Sequence, residues 1–237
     1  MNVKKLIASV LLSVVLPGAA MAAQASFAVS GVTVNLIDLD TTDGVTPSIT
    51  FNTEYGYAGY TIRHLPGYND YISGGTNFGA VHNSSQWAIA DASVGTRSLS
   101  LGVQTLQANV TAELSARSDT LFTLSKNTLA IFSVPYTVSL TKSSKEFLDT
   151  SFKFSAGVPG SYFDSDYTFR RGQVSSTLFG EIYTGSSAGE GSLNLLATIY
   201  TSTSGTPPIP EPGTYAMLLA GLGVIGWRLR QRNATSV

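Results

Sequence analysis

Several residue types and motifs are absent from this chain of 237 residues, and each absence excludes a class of function. There is no cysteine, which rules out disulfide bridges and zinc sites built on thiolates. Residues 23–205 have no basic stripe, since nine Lys and Arg stand against fourteen Asp and Glu, a net charge of −5 that argues against a nucleic-acid partner. No phosphate-binding loop, dinucleotide fingerprint or nucleophile elbow occurs. Because no disulfide can form, the core must be stabilised by packing alone.

The first 22 residues have the layout of a secretory signal peptide. Lys4 and Lys5 form a positive start, residues 6–16 form an apolar stretch too short to span a membrane, and Pro17 follows. Ala20 and Ala22 supply the small residues that precede a cleavage site after Ala22. The sequence therefore predicts export through a secretion translocon and cleavage by signal peptidase, and residues 1–22 are excluded from the fold.

Residues 23–205 are rich in short segments in which apolar and polar residues alternate. This period of two places alternate side chains on one face of a strand, and Gly, Ser, Asn and Asp separate the segments. We expect an all-β domain, an antiparallel β-sandwich or jelly roll. The predicted strands lie at Ser48–Phe51, Leu99–Val103, Leu106–Leu114, Thr128–Val134, Tyr136–Leu140, Phe152–Phe154, Tyr167–Phe169 and Leu193–Ile199. Pro135 predicts an edge or a bulge, because proline cannot donate to the ladder.

The last thirty residues have a different composition from the domain. Residues 206–213 form a proline-rich linker that contains Pro210, Glu211 and Pro212. Residues 214–227 are uncharged and apolar, and they predict a short transmembrane helix of about 21 Å against a bilayer core of about 30 Å. Residues 228–237 form a basic tail with Arg228, Arg230 and Arg232, which predicts a cytoplasmic C-terminus and a stop to transfer.

Pro-Glu-Pro, a short apolar helix and an arginine-rich tail, in this order at the extreme C-terminus, resemble the PEP-CTERM sorting signal of Gram-negative bacteria. The same signal is also labelled an ice-binding protein C-terminal domain. The resemblance implies processing by exosortase, a membrane-embedded protease-transpeptidase, with Pro210, Glu211 and Pro212 as its substrate motif. It also implies transient anchoring in the inner membrane, delivery to the cell surface or medium, and an association with exopolysaccharide and biofilm.

Residues 54–79 combine many glycines with tyrosines and few aliphatic residues. We expect an irregular, exposed loop region, and Tyr57, Tyr60 and Tyr68 are candidates for a glycan contact, since amphipathic rings among small polar residues are typical of contact surfaces. The favoured alternative is ordinary strand tyrosines with their hydroxyls at the surface.

Asp38, Asp40 and Asp43, followed by Gly44, offer carboxylate oxygens that could bind calcium. Their spacing is not that of an EF-hand loop, and the favoured alternative is a turn between two strands that involves no metal.

Asp164 and Asp166 are the only paired carboxylates near a cluster of aromatic residues, and they suggest a secreted polysaccharide-active hydrolase as the alternative function. They lie on the same face of a predicted strand, with nothing else to mark a cleft. The two histidines, His64 and His82, could bind a metal together only if the fold made them neighbours. The sequence therefore predicts no catalytic residue and a structural, adhesive or glycan-binding role.

Overall fold

The computed structural model describes residues 23–65, 71–143 and 146–204. The described residues, up to Ser204, belong to one compact unit. The predicted signal peptide, the Pro-Glu-Pro linker, the membrane helix, the arginine tail and Tyr68 lie outside the described residues. Among the described residues, no helix is long and apolar enough to cross a membrane.

Thirteen strands make up the described part of the chain. The first seven are β1 Gln24–Val29, β2 Thr33–Asp38, β3 Ile49–His64, β4 Tyr71–Thr76, β5 Gly79–Ser84, β6 Ala88–Gly95 and β7 Ser98–Thr105. The remaining six are β8 Val110–Leu124, β9 Thr128–Thr141, β10 Glu146–Val158, β11 Ser161–Phe169, β12 Gly172–Tyr183 and β13 Gly189–Thr203.

Alternation of side chains makes these segments strands rather than helices. In β8 every second residue is buried, from Val110 through Leu114 to Leu124, and the residues between them face solvent. A helix would distribute the same residues around its whole circumference, whereas a strand places them all on one face. In a regular strand such as β8, sequence periodicity therefore identifies the face that forms the core.

The strands form two antiparallel sheets that share one hydrophobic core. Sheet A has the order β12-β9-β1-β7-β6-β5, with β2 also paired to β9, and sheet B has the order β11-β10-β13-β8-β3-β4. Phe27 of sheet A and Phe152 of sheet B meet between them, with ring centroids 4.9 Å apart. This arrangement confirms an all-β fold of antiparallel sheets.

Most of the predicted strands are present, but two segments were assigned wrongly. Residues 54–64, expected to be irregular, form the second half of β3, and Tyr71–Thr76 form β4. Residues 106–109, expected at the start of a strand, form the turn before β8, in which Asn109 has a positive φ of 59°. The glycines and tyrosines of the first segment obscure its strand pattern. In residues 106–109 the alternation of apolar and polar residues continues by chance into a turn.

The expectation of an edge at Pro135 was wrong, whereas that of a bulge is met by the neighbouring chain segment, which has one extra residue between β1 and β2. β9 has partners on both sides, with β12 on one and both β1 and β2 on the other. Its pairing to β12 runs through Thr177↔Pro135 without a shift of register. β1 pairs as far as Tyr136 and β2 begins at Ser133, so proline sits where the neighbouring strand is interrupted. The missing N–H costs no ladder bond there.

One end of the sandwich is tied by hydrogen bonds around the β8–β9 turn. Asn127, in the left-handed conformation with φ 49°, donates its backbone N–H to the carbonyl of Gly185 and accepts from the N–H of Leu39. Its side chain donates to Asp43 over 2.7 Å. The hydroxyl of Thr184 accepts from the N–H of Thr128 and donates to main-chain carbonyls. Three distant segments of the chain are therefore joined at this turn.

Candidate functional site

A bulge in β3 determines which tyrosines face solvent. The pairing of β3 with β8 shifts between Phe51 and Thr53, so one extra residue is inserted in β3. Before the bulge the odd-numbered residues pack towards the core, as Phe51 does, and after it the even-numbered ones do. Tyr55 and Tyr57 are consequently turned to the outer face of sheet B, with 59% and 48% of their surface exposed.

The ring of Tyr57 lies against two glycines of the sheet. A Cβ at Gly59 would be 2.5 Å from the Tyr57 hydroxyl oxygen, and a Cβ at Gly75 would be 2.7 Å from it. Gly59 and Gly75 are directly opposite each other in β3 and β4. Because neither has a side chain, the ring lies along the sheet and leaves its other side open to solvent.

Charged groups lie beside the two tyrosines on β8. Arg117 is opposite Tyr57 and Asp119 is opposite Tyr55 in the register of the two strands. The Nε of Arg117 donates to Oδ2 of Asp119 over 2.6 Å. The Oδ1 of Asp119 has no hydrogen-bond partner among the described residues. We call Tyr55, Tyr57, Arg117 and Asp119 the tyrosine face; it combines exposed aromatic surface with the exposed guanidinium of Arg117, which Asp119 holds in place.

The three tyrosines predicted to contact glycan do not share one surface. Tyr57 is on the outer face, whereas Tyr60 packs against the core, and its ring covers the position where Gly74 lacks a side chain. Tyr68 lies outside the described residues. Sequence reasoning placed Tyr55 in the correct region but could not group it with Tyr57, because the bulge that sets their common direction has no clear sequence signal.

The carboxylates of Asp38, Asp40 and Asp43 are engaged in turns. Asp38 accepts from the N–H of Asp40, Asp40 from Thr42, and Asp43 from Val45 over 2.8 Å. The hydrogen bonds from Asn127 and Val45, together with the charge of Lys126, lower the pKa of Asp43. Within residues 23–65, 71–143 and 146–204, no three His, Asp or Glu side chains are grouped to hold a metal ion. The geometry is that of successive side-chain-to-backbone turns, and calcium binding remains a prediction.

Asp164 and Asp166 lie on the outer face of β11, at the edge of sheet B. Asp164 pairs with Nζ of Lys153 over 3.1 Å, and this partner raises the pKa of Lys153. Both carboxylates project from an open sheet face. Lys153, on the neighbouring strand, neutralises the charge of Asp164, and the two form an ordinary cross-strand ion pair.

The two histidines have separate partners. His64 stacks on Trp87, with ring centroids 5.5 Å apart and an angle of 9° between the rings. The Nδ1 of His82 lies 2.6 Å from Oδ1 of Asp91, directly opposite it on β6. Each histidine therefore has a structural contact of its own, and the two do not share a site.

Comparison with known proteins identifies the C-terminal stretch as a signal that directs an exported protein. Residues 208–233 match the family model of the PEP-CTERM protein-sorting motif. This confirms the resemblance seen in Pro210, Glu211 and Pro212 and the residues after them. PEP-CTERM domains are exosortase substrates, so the match supports exosortase as a partner of this chain and export to the surface as its route. No curated protein and no solved structure matches the chain.

Proposed function

We propose that residues 23–205 are a non-enzymatic glycan-binding domain that takes a structural or adhesive part in an extracellular polysaccharide matrix. The observation that carries the proposal is the tyrosine face. A sugar ring has an apolar C–H face that packs on an aromatic ring, and hydroxyls that need donors and acceptors. Tyr57 supplies the flat surface, and the exposed guanidinium of Arg117, held by Asp119, supplies donors beside it.

The location and openness of the face favour an extended polymer as the ligand. Tyr55 and Tyr57 are two residues apart on one strand, so their Cα atoms are separated by about 6.6 Å. The outer face of sheet B is continuous on both sides of them, with β8 and β13 next to β3 in one direction. A long polysaccharide can cross such a surface, whereas a small ligand requires a cavity that encloses it.

The delivery of the domain follows from the sorting signal. In this proposal the signal peptide takes the chain through the translocon, and signal peptidase cuts after Ala22. Residues 214–227 then hold the chain in the inner membrane, with Arg228, Arg230 and Arg232 on the cytoplasmic side. Exosortase cuts near Pro210-Glu211-Pro212 and releases the domain to the surface or the exopolysaccharide. The intact mass of the mature protein tests this route, since a mass that runs to Val237 would contradict release.

The binding experiment uses the exported protein and purified exopolysaccharide of the source cells in a pull-down assay. We expect Tyr57→Ala to weaken binding by roughly five- to tenfold, as the loss of one stacked aromatic ring does. Tyr55→Ala should have a smaller effect in the same direction. Tyr183→Ala is the matched control, because Tyr183 is 55% exposed on β12 of the other sheet. Equal binding by Tyr57→Ala and the unmodified protein would refute a role for the face.

A hydrolase that uses Asp164 or Asp166 is the second prediction, and the same polysaccharide tests it. Release of reducing ends by the exported protein, lost on Asp166→Asn, would support the hydrolase and overturn the non-enzymatic proposal. The ion pair of Asp164 with Lys153 supports the non-enzymatic reading, because it assigns that carboxylate a structural partner.

A further inference from the structure

The edge of sheet A formed by β12 differs from the other sheet edges. The edge strands β2, β4 and β5 are six residues long, and β11 carries Asp164 and Asp166. β12 has twelve residues, no proline, and Glu181 as its one charged residue. Exposed edges are normally protected from pairing with other chains by short length, proline or several charges. β12 has little of this protection except at its Tyr183 end, where the N–H of Tyr183 donates to Ser161 of β11.

The direction of the free backbone groups of β12 follows from Pro135. In an antiparallel ladder, opposite residues alternate between exchanging two hydrogen bonds and exchanging none. Pro135 has no N–H, so Thr177, which lies opposite it, belongs to a pair that exchanges none. The N–H of Tyr183, six residues on, indeed donates to the hydroxyl of Ser161 rather than to β9. The backbone groups of the odd-numbered residues from Gln173 to Glu181 therefore point out of the sheet.

We propose that this edge pairs with the β12 strand of a second copy of the chain, antiparallel and around a two-fold axis at Ser176. In this register Ser175 is opposite Thr177 of the second copy, and Gln173 is opposite Phe179. All of these are odd-numbered residues, so their outward N–H and C=O groups meet and form ladder hydrogen bonds. The joined sheets have twelve strands in their hydrogen-bonded order, six from each copy.

Charge complementarity selects both the occupant and the register. Arg171 immediately precedes β12, Glu181 lies near its end, and both are exposed. Neither forms an ion pair within the described part of the chain. With the axis at Ser176, Arg171 is opposite Glu181 of the second copy, and the symmetry makes this pair twice. A shift of the axis by one residue, to Thr177, would place Glu181 opposite Gln173 and lose both ion pairs.

Apolar side chains agree with the same register. On the core side of the strand, Val174 is opposite Leu178 of the second copy, and both residues pack against the core of their own domain. On the outer side, Phe179 is 65% exposed and acquires Gln173 of the second copy as its direct neighbour. Hydrogen bonding, charge and apolar contact thus point to one arrangement, a self-complementary interface.

Disulfide formation tests the pairing without background, because the chain has no cysteine. Ser176 on the axis would face its own counterpart in a pair without hydrogen bonds, where Cα atoms are about 4.5 Å apart. That separation is within the range that a disulfide bridges. We expect the full-length chain with Ser176→Cys to form a covalent dimer under mild oxidation. Ser84→Cys is the control, since Ser84 is exposed on β5, the opposite edge of sheet A.

A charge exchange then tests the register. Glu181→Arg, added to Ser176→Cys, places two arginines opposite each other twice and should reduce the dimer about tenfold. Arg171→Glu should do the same, and the two substitutions together should restore the dimer. Equal crosslinking of Ser176→Cys and Ser84→Cys, or crosslinking unaffected by Glu181→Arg, would overturn the proposal. Tyr57→Ala should not change the dimer, so this test is independent of glycan binding.

Discussion

Asp43 and Asn127, 84 residues apart in the chain, are joined by a hydrogen bond of 2.7 Å between the Asn127 Nδ2 and the Asp43 Oδ2. Lys126 adds a positive charge 3.5 Å from the same oxygen, and only 10% of the Asp43 side chain is exposed. A turn that looks local in the sequence is therefore part of the contact that fixes the β2–β3 connection to the β8–β9 turn.

Replacement of Asp43 by Asn should destabilise the protein at neutral pH and much less in acid. The hydrogen bond from Asn127 is the largest cause of the lowered pKa of Asp43 in the folded protein. The stabilisation is complete above the pKa of the unfolded chain, near 3.8, and is lost as the pH falls through the lower pKa of the folded state. Urea unfolding of both proteins from pH 7 to pH 2 measures this. A difference between the two proteins that does not change with pH would contradict the assignment.

Buried threonines offer a test with opposite outcomes at two positions. The hydroxyl of Thr120 is buried without a hydrogen-bond partner among the described residues, whereas that of Thr184 both accepts and donates hydrogen bonds. We expect Thr120→Val to stabilise the protein by about 1 kcal/mol, because it removes a polar group that burial has left unsatisfied. Thr184→Val should destabilise it by about 1–3 kcal/mol. Thermal unfolding distinguishes the two, and destabilisation by Thr120→Val would indicate an unrecognised partner.

Two glycines in strands should respond differently to alanine. A Cβ at Gly180 would collide with the ring of Phe163, which covers β12 from β11. The nearest atom to a Cβ at Gly102 is the Cβ of Asp91, at an ordinary 3.9 Å. Gly180→Ala should cost about 1–3 kcal/mol through displacement of the ring. Gly102→Ala should be neutral or stabilising, since alanine loses less conformational freedom on folding than glycine. The free energy of unfolding in urea provides the comparison. Equal effects of the two substitutions would show that the Phe163 ring moves aside at little cost in free energy.

The arginine tail should act as the stop signal during sorting. Replacing Arg228, Arg230 and Arg232 with Glu removes the positive charge that retains a segment on the cytoplasmic side. We expect impaired retention in the membrane and slower processing. Pulse-labelling and immunoblotting of the membrane and medium fractions measure both effects. Replacement of the same residues with Lys preserves the charge and serves as the control. Processing of the Glu variant at the normal rate would exclude the arginines as the signal.

The fold class could be predicted from the sequence because alternation is local. Leu193, Leu195, Ala197 and Ile199 reveal both the strand and its buried face, and β13 contains them all on the core side. The β3 segment could not be predicted in this way, since Gly56 and Gly59 interrupt the pattern and the bulge after Phe51 reverses it. The strand order was not predictable either, because it depends on contacts between residues far apart in the chain.

The candidate site was predictable only in its composition. The abundance of tyrosine and glycine in residues 54–79 indicated a contact surface, and Tyr57 is exposed as expected. The inward direction of Tyr60 and the neighbours Arg117 and Asp119, sixty residues further along, come from the register of β3 with β8. Register of this kind is a property of the assembled sheet and leaves no trace in either strand alone.

The position of β13 has a consequence for the timing of export. β13 is the last strand of the domain, yet it lies in the interior of sheet B between β10 and β8. Sheet B therefore stays in two halves, and the core stays open, until the final fifteen-residue strand is available to pair. The sorting motif begins at residue 208, only five residues after β13 ends. In the proposed export route, completion of the fold and arrival of the sorting signal at the membrane would thus be nearly simultaneous.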